Sequence, residues 1–197
     1  SRDDWMPLIH VGLADPDRFR FLGAASVARA KGVDTWEHFY SRMLSDGYDS
    51  YFMQTVLGSD NPDRIDRALA LAERQLPLDQ LFSGPIPEVG FGSPAFRMHV
   101  GLGTILCRLK DFPGKGWQFL RAGLCSPMPR NRTNAVRALA AWERTDWPPE
   151  AEACIRTALE TEPDEKLHGM LQHLLAGESV EPEEERQVRQ VRRRRFS

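Results

Sequence analysis

The chain has 197 residues, 41% of them apolar and 27% charged, with a formal net charge of −2. That is the composition of a globular protein with ample length to bury a core, and it excludes a collagenous or low-complexity chain. The charge gives no global attraction to nucleic acid, and no run approaches the roughly 18 apolar residues of a membrane span.

In chain order, helical spacing predicts helices near 4–14, 17–31, 35–46, 48–57, 62–76, 94–111, 115–126, 133–145, 149–161 and 164–176. Proline and acidic residues punctuate them. In Asp15-Pro16-Asp17 and Asn61-Pro62-Asp63, the first residue is expected to cap the next helix, with proline at its first position. Glu162-Pro163-Asp164 repeats the Pro-Asp with a poorer capping residue. Each such unit ends one helix and starts another, which predicts an αα-hairpin.

The aromatic-rich "WEHFYSRML" at 36–44 and "YDSYFM" at 48–53 fit core stripes. After Pro62, the stripe Ile65, Ala68, Leu69, Ala72 and Leu76 predicts one buried face. The segment 77–93 breaks the rhythm. It carries Leu81, Phe82, Ile86, Val89 and Phe91 as an exposed, stiff loop, and Phe82 and Phe91 are candidate partner contacts. Ser93 and Pro94 would then cap the next helix. Gly101 and Gly103 in "VGLGTIL" predict close helix approach, since the stretch lacks the lysine of a phosphate loop. "PRNRTN" at 129–134 reads as a turn that offers Arg130 and Arg132 to an acidic partner. Stripes follow at Val136, Leu139, Ala140 and Trp142, at Ala153, Cys154, Ala158 and Leu159 after Pro148-Pro149, and at Leu167, Met170, Leu171, Leu174 and Leu175. Gly177 closes the last. No alternating strand pattern competes.

Self-similarity points to a repeat. "GLADP" at 12–16 matches "GLCSP" at 123–127, and "RIDRALALAE" at 64–73 can be laid on "NAVRALAAWE" at 134–143. Pro16 and Pro62 are 46 positions apart, and Pro127 and Pro163 are 36 apart. On these residues the chain resembles HEAT-type repeats. The segment "RNRTNAVRALAAWERTDWPPEAEACIRTALETEPDEKL" is similar to the C-terminal repeats of uncharacterised bacterial HEAT-like proteins. The resemblance implies an all-α fold, a short right-handed α-solenoid of about five helical hairpins (HEAT/armadillo-like). It also implies that Arg67 and Arg137 bond acidic groups or turn carbonyls of adjacent repeats. Some of those proteins carry a limonene hydroxylase label, but no haem-ligand context, flavin fingerprint or iron triad accompanies it here.

Chemistry-bearing motifs are otherwise sparse. His168 and His173 are separated by about 140° around one helix, unlike the ligands of a zinc helix. Glu165-x-x-His168 occurs once, where a di-iron bundle needs two copies. No Gly-x-Ser-x-Gly is present. Cys107, Cys125 and Cys154 are an odd, widely spaced set in apolar helical contexts, which fits a reducing compartment. No catalytic, cofactor-binding or metal residues are therefore assigned. The expected organisation is a HEAT-like domain over 1–177 and a charged tail over 178–197, with six arginines and five glutamates. As a helix, the tail would pair Glu185 with Arg189 and cap the stack. The expected function is a non-enzymatic, cytoplasmic protein–protein interaction module whose partner is another protein, with nucleic acid and membrane disfavoured. Two alternatives stand beside it. One is a DNA-binding HEAT-like protein of the alkylpurine glycosylase type, for which Trp142, Arg144 and Asp146 are the nearest constellation. The other is a regulatory portion of a larger bacterial protein, suggested by a first residue that is Ser rather than Met.

Overall fold

The computed structural model describes residues 5–85 and 94–180. Among them all regular structure is helical: α1 (Trp5–Ala14), α2 (Arg18–Ala30), α3 (Trp36–Asp46), α4 (Ser50–Val56), α5 (Pro62–Gln75), α6 (Leu78–Leu81), α7 (Pro94–Leu109), α8 (Trp117–Leu124), α9 (Pro129–Ala140), α10 (Ala151–Thr161) and α11 (Glu165–Ala176), with a 3₁₀ turn at Arg144–Asp146. The chain forms two compact units, Ser1–Gln75 and Leu76–Ser197. Ile86, Val89, Phe91, Ser93 and the tail from Glu181 onward, including Glu185 and Arg189, lie outside the described residues.

The proline turns share one hydrogen bond that explains their recurrence. The residue at the helix N-cap donates its backbone N–H to the side chain two positions earlier. Asp17 donates to Asp15 Oδ1 at 2.8 Å, Asn61 to Ser59 Oγ at 3.2 Å, Met128 to Ser126 Oγ at 3.3 Å and Asp164 to Glu162 Oε1 at 3.0 Å. This turn reverses the chain locally and leaves the cap in the extended conformation from which a helix can start. It also corrects two cap assignments. Asn61 caps α5 as expected, accepting from Asp63 N–H at 3.0 Å, with Pro62 first in the helix. In the other two turns the second aspartate is the cap. Asp17 accepts from Arg20 N–H and Asp164 from Leu167 N–H, both at 2.9 Å, so Pro16 and Pro163 precede the cap.

In the N-terminal unit α1 packs on α2, and α4 packs on both α3 and α5. The core is an aromatic cluster. Phe21 of α2, Phe39 of α3 and Phe52 of α4 meet edge-on or tilted with centroids 5.0–5.5 Å apart, a geometry that adds quadrupole attraction to area burial. Trp36 stacks on Tyr40, and Arg67 reaches across to both rings. The guanidinium of Arg67 also forks onto Glu37 at 2.7 and 2.9 Å, holding that carboxyl below its ordinary range. Arg64 pairs with Asp34, and Arg18 with Asp49. Helix α1 buries Ile9 and Leu13 and leaves Trp5, Leu8 and Val11 more than half exposed.

In the C-terminal unit α9 lies against both α7 and α11, while α8 lies against both α6 and α10. Each helix of one row joins the other row through the hairpins α7–α8, α8–α9 and α10–α11. Glycines set the approach. A Cβ on Gly103 would stand 2.6 Å from Asn131 Oδ1, and one on Gly123 would stand 2.8–3.0 Å from Leu106 and Ala135. The Gly-Leu-x-x-Pro match has a structural counterpart. Gly12 faces Ala24, and Gly123 faces Ala135, the residue twelve positions on in both cases, and Leu13 and Leu124 are buried.

Three sequence expectations change. Helix α9 begins at Pro129 and not at 133, because proline at the first helical position sacrifices no hydrogen bond, and it stops at Ala140. Leu81 is buried in the single-turn helix α6, so the irregular segment opens with structure and not with an exposed loop. On α10 the buried stripe is Ala151, Ile155 and Ala158, whereas Ala153 is exposed.

Candidate partner-binding groove

The four residues singled out from the sequence have different settings. Arg130 is exposed in the first turn of α9. Phe82 is 42% exposed, with the Arg121 guanidinium 5.3 Å from its ring centroid. Phe91 lies outside the described residues. Arg132 points inward. Its Nε and Nη2 donate to Glu162 at 2.7 and 2.8 Å, and its Nη1 donates to the carbonyls of Ser126 and Pro127 at 2.9 and 3.0 Å. The two side chains are 3% and 1% exposed. Arg132 thus clamps the α8–α9 turn to the α10–α11 turn, and its charge is spent inside. Arg42 plays a related part in the other unit, donating to the carbonyls of Asp15 and Pro16, the same positions of the matching "GLADP" turn.

Trp142 and Arg144 of the alkylpurine-type constellation bond within the fold. The Trp142 indole is buried and donates to Leu109 O at 2.8 Å. Arg144 stacks on Trp147 and donates to Leu174 and Leu175 carbonyls at 2.9 and 2.6 Å, capping the negative end of α11.

The outward face of α9 borders a hollow. Cys107 of α7, Lys110 just beyond that helix, and Asn134 and Arg137 of α9 line it. The main chain of Gly177–Val180 crosses the far side, and Leu106 and Ala138 form part of the floor. The hollow holds about 720 Å³. The far wall has a local cause. Gly177 takes the left-handed conformation after α11, with φ 75°, and the next residue donates its N–H back to His173 O at 2.8 Å. Glu178 then meets His173 Nδ1 at 2.6 Å, and Val180 is buried. Across the groove Asn134 Nδ2 donates to Cys107 Sγ at 3.1 Å. A smaller hollow of about 140 Å³ adjoins it between α9 and α11, shares Arg137 and adds Lys166 and Thr133.

Among the described residues Glu178 is the sole carboxylate of the larger hollow and meets His173, and no histidine lines it. Among the described residues no cluster of three His, Cys, Asp or Glu is placed to hold a metal. His99 is buried elsewhere, its Nδ1 has no protein partner, and burial holds its pKa below the usual value. Cys107 is exposed; Cys125 and Cys154 are half-buried, and burial pushes both thiols up. No described helix is long and apolar enough to cross a membrane.

Sequence reading named Arg130 and Arg137 but neither Lys110 nor Asn134. A detectable signal was the spacing of about thirty residues that recurs in the cross-helix bonds. Arg67 with Glu37, Arg132 with Glu162 and Arg144 with Leu174 O are each 30 apart. No family model matches the chain, and no curated protein or solved structure matches it significantly.

Proposed function

We propose that this chain is a non-enzymatic protein–protein interaction module, built of HEAT-like hairpins stacked as a short right-handed α-solenoid and working in the cytoplasm. The observation that carries the reading is the position of α9, packed on α7 along one edge and on α11 along the other, with α8 placed likewise between α6 and α10. A two-row stack of that kind buries its hydrophobic faces between neighbours and presents a row of helix faces outward. The outward side chains of α7 and α9 border a hollow large enough for part of a partner. Three free thiols fit a reducing compartment.

The test is capture of the partner from native-host extract on the full chain, followed by reconstitution with the purified partner. A saturable one-to-one complex supports the reading. A low-salt gel shift with duplex DNA, without any reconstituted protein complex, would refute it in favour of nucleic-acid binding.

A further inference from the structure

We infer that two copies of this chain pair through α1, the helices lying antiparallel across a two-fold axis with Leu8 at its centre. The inference goes beyond the interaction-module reading and does not rest on it, since it asks only for a second copy. Helix α1 is built unlike a solvent-facing helix. Its sequence, WMPLIHVGLA, holds no Asp, Glu, Lys or Arg. Among the described residues it packs substantially on α2 alone, and all its residues except Ile9, Gly12 and Leu13 are exposed. Helix α5 shows the ordinary pattern, with Asp63, Asp66, Arg67 and Glu73 exposed beside a buried apolar stripe. Trp5, Leu8 and Val11 are three apart, so they follow one another along one side of α1, and they are 54%, 66% and 69% exposed. With the other exposed side chains of α1 they offer roughly 500 Å² per copy and about 1,000 Å² in a pair, the least a specific interface needs.

Charge and spacing identify the occupant. A two-fold contact sets a patch against itself, so any charge on it would face its own like. Helix α1 carries none, and the first cations after it in the chain, Arg18 and Arg20, are paired with Asp49 and Asp15. Trp5 and Val11 are each three residues from Leu8. An antiparallel copy therefore sets each Trp5 on the other copy's Val11, and Leu8 on Leu8. Tryptophan at such a contact gives a large, rigid anchor.

The experiment is sedimentation velocity of the full chain over a wide concentration range, in reductant, which keeps the exposed Cys107 from cross-linking copies. A monomer–dimer equilibrium with Kd on the order of 10–100 μM is expected, weak because the area is at the lower limit. Leu8→Glu sets two carboxylates against each other and weakens pairing by at least about thirtyfold, and Leu8→Lys does the same with two ammonium groups. Because Leu8 is exposed, both variants keep the parent's circular dichroism and urea midpoint. Mixed one to one, the two variants pair again about as tightly as the parent, an outcome that mere loss of apolar surface cannot produce. Four results overturn the inference: a monomer at every concentration, a dimer that ignores both variants, a mixture that stays monomeric, or a monomer that floats with phosphatidylcholine vesicles. A monomer whose reconstituted complex with another protein is lost in Leu8→Glu gives the face to that partner, and leaves the interaction-module reading in place.

Discussion

Replacing Glu162 by alanine is expected to be the most damaging single change in the C-terminal unit. The carboxylate is 1% exposed and its arginine 3%, so neither charge has water to fall back on. With Glu162 gone, Arg132 keeps its bonds to Ser126 O and Pro127 O but loses both charge-assisted bonds, and Asp164 N–H loses its acceptor. Breaking a buried pair from one side costs about 3–5 kcal/mol. In a protein of this size that lowers the melting temperature by about 10–15 °C. Glu162→Gln keeps the shape and an acceptor oxygen, so it isolates the charge and costs about 1.5–3 kcal/mol. The double change Arg132→Met with Glu162→Leu removes both charges together and should lie within about 1–2 kcal/mol of the parent. Urea unfolding followed by circular dichroism, arranged as a double-mutant cycle, reads all of these. The reasoning fails if Glu162→Ala loses less than about 1 kcal/mol, or if the double variant is weaker than Glu162→Ala alone.

Glycine substitutions should split by what faces them. Gly103→Ala and Gly123→Ala are expected to cost about 1–3 kcal/mol each, because the new methyl meets Asn131 or Leu106 inside 3 Å. Gly169→Ala, with nothing near it in the middle of α11, should stabilise by about 0.5–1 kcal/mol in the same unfolding assay. Asp49 is held below its ordinary pKa: burial pushes it up, but the Arg18 guanidinium and the Phe52 N–H outweigh that. Its contribution is therefore complete well above the unfolded value of 3.8 and is lost as pH falls through and below it. Asp49→Asn preserves the cap on α4 and should flatten the acid limb of a stability-versus-pH curve. His99 has its pKa lowered by burial from 6.5, so below that pH the unfolded chain takes a proton more readily than the folded one. Stability should decline from pH about 6.5 downward, and His99→Gln should reduce that slope in acid titrations of thermal unfolding.

The helices were legible because their signals are local. Ile65, Ala68, Leu69, Ala72 and Leu76 fall on one stripe whatever the rest of the chain does, and all five are buried. The caps were legible only to within one turn position, since aspartates flank Pro16 on both sides and either can accept a helix N–H. The start of α9 was hidden because Arg130 and Arg132 look like solvated turn residues. Arg132 finds its carboxylate 30 residues away, where no local pattern reaches. The groove was less legible still. Lys110 lies just past α7 and Asn134 lies on α9, two helices that meet side by side through Gly103 and Asn131, a contact created by packing and not by sequence proximity. Cys107 looked like an apolar-face thiol, yet the end of α7 turns it to solvent.

The interaction-module reading depends on α9 separating α7 from α11, and spin-label distances address that arrangement head on. With Cys125 and Cys154 replaced, one label goes on native Cys107 and the second on α9 at Thr133→Cys or on α11 at Lys166→Cys. An open row predicts that the Cys107-to-166 separation exceeds the Cys107-to-133 separation by about 10 Å, one interhelix spacing. Equal separations would mean a closed three-helix bundle in which α7 and α11 touch, and would contradict the stack.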